Sequence, residues 1–179
     1  MFDWRLLIYQ ALVYGLLLSL VLTLLMVISG TIALDMFVDD YPAEIKKKYG
    51  PMSARSARLR PYIATLLFAT LLVVPTLGLF ALQAKIDPVP FLPAFVFSGI
   101  ALLVFNTFDL IILDWLLFCT IQPGAMVLPG TEGMPAYRDY RFHFNGFLKG
   151  LGFSAAGSLL IAIFWMIVQW LIAWLPSVA

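Results

Sequence analysis

The sequence predicts an all-α integral membrane protein: four transmembrane helices in an antiparallel bundle, both termini outside, with two structured cytoplasmic loops. Three observations predict it. Hydrophobic residues make up 63% of the 179 and charged residues only 12%, with a mean hydropathy of +0.98. A soluble domain typically carries about 25% charged residues to meet water. Apolar stretches at about 6–34, 62–84, 91–121 and 147–175 each exceed the roughly 20 residues that cross the hydrocarbon core. Finally, nine of the 11 Lys and Arg fall in or beside two of the three connections. A single membrane domain accounts for 1–179, with cytoplasmic loops at about 35–61 and 122–146.

Helix one, at about 6–34, is far longer than the roughly 7–15 apolar residues of a secretory signal and lacks a small-residue cleavage site. It reads as a retained helix. The loop after it carries Lys46, Lys47, Lys48, Arg55, Arg58 and Arg60. By the positive-inside rule this loop is cytoplasmic, and so is the second, which holds Arg138 and Arg141 with Lys149 on its flank. Asp40 is expected to cap a short helix with Pro42 in its first turn, lysines at its end and Gly50 after it. Ile45 and Tyr49, four apart, would share a lipid-facing side. A second short helix is expected from Ser53. The basic residues suit anionic lipid headgroups.

Helix two, at about 62–84, contains Pro75 and Gly78, a kink signal. The outer connection that follows is short and holds Lys85, Asp87, Pro88, Pro90 and Pro93. It reads as a stiff hairpin tip.

Helix three, at about 91–121, carries the main functional signal. Asn106, Asp109 and Asp114 form a polar intramembrane site in an otherwise apolar span, where carboxylates are costly and mark pairing or function. Counting inward from Gln122 at about 1.5 Å per residue, Asp114 lies about 12 Å deep and Asp109 about 20 Å deep. Asp109 is therefore expected near the bilayer midplane. Asn106 lies one turn away on a neighbouring face, whereas Asp114 points about 140° away on a straight α-helix. Asp114 is expected to meet a cytoplasmic base among Arg138, Arg141 and Lys149.

The second cytoplasmic loop is punctuated by Pro123-Gly124 and Pro129-Gly130. Met126, Val127 and Leu128 between them are expected to dip into the membrane interface. Tyr137, Arg138, Arg141 and Lys149 suit an anionic headgroup or ligand. Glu132, Asp139 and His143 are candidate metal ligands, provided Asp139 and His143 fall four apart on one helix. Cys119 is the single cysteine, which excludes an internal disulfide and a cysteine zinc cluster.

Helix four, at about 147–175, has small residues at Gly146, Gly150, Ser154, Ser158 and Ala162 in and before it, a pattern that permits close helix packing. A net charge of +1 gives no basic field for nucleic acid. The expected partners are membrane lipids, anionic ones in particular, and a second copy or another membrane subunit. Nothing in the sequence names a cofactor. The leading expectation is an oligomeric interaction or transport-associated subunit of a bacterial inner membrane, using the Asn106/Asp109 site. The alternative is an enzyme working on a lipid or amphiphile headgroup at the cytoplasmic surface through His143, Asp139 and Asp114.

Overall fold

A computed structural model describes residues 2–174. Every described element is helical, and four helices are long and apolar enough to cross a membrane. They are α1 (Trp4–Ile32), α3 (Ala54–Gln83), α4 (Phe91–Phe108, continued as a π-helix over Asp109–Ile121) and α5 (Tyr140–Trp174). A short α2 (Ala43–Tyr49) lies between α1 and α3.

Each long helix buries a narrow stripe and turns the rest outward. In α1, Leu7, Ala11, Leu18 and Leu22 are buried, while Leu12, Leu16, Leu20 and Leu24 are exposed. So much outward leucine would be an aggregation surface in water, but it is the ordinary face of a helix in lipid.

Helix α4 is the centre, with α1 packed on one side and α5 on the other. The α1–α4 approach is set by Gly15, where a Cβ would meet Val104 Cβ at 2.8 Å and the Ala101 carbonyl oxygen at 2.9 Å. Helix α3 packs mainly on α1 and buries Val74, Pro75, Thr76, Gly78, Leu79 and Leu82. Gly78 serves close approach: a Cβ there would lie 2.6 Å from Phe97 Cζ and 2.8 Å from Tyr14 Cγ. The hairpin between α3 and α4 is tied to α5, since Trp165 Nε1 and Gln169 Nε2 both donate to the Val89 carbonyl, at 3.1 and 2.7 Å.

At the opposite end the two polar connections fold into one cap with its own core of Val38, Tyr41, Ile45, Phe118, Cys119, Leu128 and Tyr137. Tyr41 packs edge-on against Phe118 and Tyr137 and donates to the Met126 carbonyl at 3.0 Å. Asp35 fastens the cap to the start of α3: its carboxylate accepts from Ser53 N, Ser53 Oγ and Ser56 Oγ. Burial raises the Asp35 carboxyl, but these hydrogen bonds together outweigh it and hold the group below the ordinary carboxylate range.

Several expectations differ from the fold. The helix expected at about 62–84 starts eight residues sooner, because Ser53 caps it and the expected second short helix simply runs on through Pro61. The last helix starts at Tyr140 rather than about 147, because Asp139 Oδ1 accepts from Phe142 N at 2.9 Å and caps it there. Its expected end at about 175 lies outside the described residues. Pro42, not Asp40, precedes the first turn of α2. Ile45 and Leu128 do not face lipid; both are fully buried in the cap, where aromatic neighbours offer them a better apolar surface.

Candidate functional site

The site is built where α4 widens. From Asp109 onward the helix adopts π-type turns, in which residues five apart become neighbours. The backbone N–H of Gln122 bonds Leu117 O at 2.7 Å, and Thr120 Oγ1 reaches Trp115 O at 2.7 Å, both across five residues. Asp109 and Asp114 are also five apart. The straight α-helix assumed from sequence would splay them by about 140°; the π-turns bring them towards one side instead.

Asp114 does not meet Arg138, Arg141 or Lys149. Its partner is His143, whose Nδ1 lies 2.9 Å from Asp114 Oδ1. The early start of α5 makes this pair possible, because it places His143 one turn into a helix that packs on α4. Phe118 and Phe142 enclose the imidazole, with ring centroids 4.7 and 5.2 Å away. The His143 side chain is only 7% exposed, and its Nε2 is buried without a hydrogen-bond partner among the described residues. Trp115 Nε1, donating to Tyr140 O at 3.3 Å, and Thr120 Oγ1, 2.9 Å from Tyr140 Oη, fasten the widened helix to the start of α5.

Asn106 lies one turn before Asp109 and donates from Nδ2 to the Phe147 carbonyl at 3.2 Å. Gly150 makes room for that amide, since a Cβ at Gly150 would overlap it. Asp109 is half-buried. Asp114 and His143 thus form a pair, and Asp109 lies one widened turn before Asp114 on the same helix.

The other expected residues lie elsewhere. Tyr137 is fully buried; its hydroxyl accepts from Leu128 N at 2.9 Å and pairs with Thr131 Oγ1 at 2.7 Å. Arg138, Arg141 and Lys149 are exposed. Glu132 is exposed and accepts from Gly130 N at 3.0 Å; its own and the Gly130 backbone N–H groups hold its carboxyl below the ordinary range. Asp139 serves as the α5 cap, so it does not stand four residues from His143 on one helix. Glu132, Asp139 and His143 are not brought together, and among the described residues no group of three His, Cys, Asp or Glu is placed to hold a metal ion. Of the small residues, Gly150, Ser158 and Ala162 turn inward, and a Cβ at Gly99 would lie 3.8 Å from Ser158 across the α4–α5 seam, whereas Gly146 is open. The helix they admit is therefore α4 of the same chain.

Searches of protein-family models, curated proteins and solved structures return no match to this chain. The functional reading rests on the chemistry of the site.

Asp114 on Nδ1 fixes the imidazole's orientation and tautomer, and leaves Nε2 as an acceptor when neutral and a donor when charged. Sequence reasoning paired Asp109 with Asn106; it placed Asp114 and His143 in one site only under the enzyme alternative, and expected Arg138, Arg141 or Lys149 as the direct partner of Asp114. The signal was present in the recurrence of polar or small residues every five positions: Asp109, Asp114 and Cys119, and beside them Trp115 and Thr120.

Proposed function

We propose that this chain is a transport-associated membrane protein that passes protons through a relay formed by Asp109, Asp114 and His143. The observation that carries the reading is the Asp114–His143 pair where the π-turns of α4 meet α5, with Asp109 one widened turn before Asp114. Ionisable groups in a membrane span are expensive to keep, and Asp/Glu/His chains are the usual elements of proton relays. π-turns often accompany such sites.

In this reading the termini face outward and the cap lies in the cytoplasm, following the distribution of Lys and Arg. A bacterial inner membrane suits it. The protein works as an oligomer, because the half-exposed flank of Asp109 needs a neighbouring chain or water-lined space to complete a path.

The test is proton flux into proteoliposomes loaded with a pH-sensitive dye and driven by a potassium diffusion potential. Wild-type protein should acidify the lumen, and Asp109→Asn or His143→Gln should fall to the rate of protein-free vesicles. Equal rates for wild type and both variants would sink the relay. A second reading, headgroup chemistry with His143 as general base, is favoured by the unbonded Nε2. It predicts turnover of a lipid that Asp114→Asn abolishes, with no flux in either protein.

A further inference from the structure

One cavity of the bundle is lined by none of Asp109, Asp114 and His143. It is a groove of about 350 Å³ between the first half of α3 and the inner ends of α1 and α4. Its walls are apolar, among them Leu22, Met26, Leu67 and Phe68, and Asp40 and Arg60 stand at one end. It exists because α3 buries little before Val74: Tyr62 and Phe68 are 74% and 72% exposed, so this half of the helix stands off the bundle.

The dimensions are those of one leaflet. From Arg60 to Leu71 the groove follows α3 for about 16 Å at about 1.5 Å per residue. Half of a hydrocarbon core of about 30 Å is about 15 Å. The charged end lies at the level of the cap and the apolar end reaches towards the middle of the span.

The charged end also has spare bonding capacity of both signs. Arg60 pairs with Asp39 through one guanidinium nitrogen, not with Asp40. Its other N–H donors remain for a phosphate, in the fork geometry that suits that group. Asp40 remains for an ammonium group.

We propose that this groove is a binding site for an ethanolamine-type phospholipid of the inner leaflet. One acyl chain lies along Leu67 and Phe68, the phosphate sits on Arg60, and the ammonium donates to Asp40. A glycerol headgroup has no cation for Asp40, and a choline headgroup has a cation but no N–H to donate. The site is independent of the proton relay and needs only that the chain sit in a bilayer.

The test is native mass spectrometry of the intact protein, delipidated and titrated in detergent with ethanolamine, glycerol and choline phospholipids of matched chains. Wild type should retain the ethanolamine lipid over the other two by about five-fold, the size of one partly exposed ion pair. Asp40→Asn should keep binding lipid but lose that preference. Ala64→Phe, which fills the groove wall, should lose the retained lipid whatever its headgroup, and Asp109→Asn should bind as wild type does. The proposal is overturned if the glycerol lipid is preferred, if Asp40→Asn leaves the selectivity unchanged, or if folded Ala64→Phe retains as much lipid as wild type. Should Ala64→Phe fail to fold, the Asp40→Asn selectivity decides alone.

Discussion

Asp35 offers the sharpest single perturbation. Its side chain links the end of α1 to the N-terminus of α3, accepting from Ser53 N, Ser53 Oγ and Ser56 Oγ, and the residue is 6% exposed. Hydrogen bonds to a charged group contribute about 1.5–3 kcal/mol each, but three on one carboxylate are not additive, and its desolvation opposes them. Asp35→Ala should therefore cost about 2–4 kcal/mol, within the range of a broken buried network. The readout is denaturant unfolding in micelles, with hydrogen exchange across residues 35–60 as the local probe. The pH dependence has a definite sign. The folded carboxyl titrates below its ordinary value of 3.8, so its contribution is complete above that value and is lost as pH falls through the lower folded one. The gap between wild type and variant should be constant from about pH 7 to about pH 5 and close below about pH 4. A variant within about 0.5 kcal/mol of wild type at neutral pH, the scatter of an ordinary surface change, would refute the network. So would a gap that persists unchanged into acid.

Three further outcomes are expected. Gly150→Val should destabilise by about 1–3 kcal/mol through overlap with Asn106, and Asn106→Ala should rescue part of that loss in the double variant, read as the shift in thermal midpoint. Tyr137→Phe leaves the buried Leu128 N–H and Thr131 hydroxyl without their shared partner; it should cost about 1–3 kcal/mol and speed exchange of the Leu128 amide. In a Cys119→Ala background, Lys47→Cys should react with an impermeant maleimide only from the cytoplasmic face and Lys85→Cys only from the outer face; the opposite pattern would invert the proposed orientation.

The four spans were legible because apolar length is a composition signal that needs no tertiary knowledge. Their ends were less so. Both polar-side helices begin sooner than the hydropathy does, at Ala54 and Tyr140, because Ser53 and Asp139 cap them within polar sequence. Hydropathy marks where lipid begins, whereas caps mark where a helix begins, and the two differ by about two turns here. The cap core was hidden for a related reason. Ile45, Leu128 and Tyr137 are buried against residues far away in sequence, which no local periodicity encodes. Asp109 and Asn106 were legible as isolated polar residues in an apolar helix. The His143 partnership was not, since it depends on both the sooner start of α5 and the π-turns of α4.

Those π-turns join the cap to the Asp114–His143 pair. A regular α-helix would splay Asp109 and Asp114 and present one of them to lipid, at a cost of several kcal/mol. Widening the turns brings Asp114 to His143 on α5 and weakens the regular backbone ladder. Side chains of the same segment offset that loss. Thr120 Oγ1 bonds the Trp115 carbonyl, Trp115 Nε1 bonds Tyr140 O, and Phe118 fills the space between Tyr41, Tyr137 and His143. Phe118 thus belongs to the cap core and to the imidazole pocket at once. Any movement of the cap that shifts Tyr41 or Tyr137 must shift Phe118, and with it the ring that borders His143.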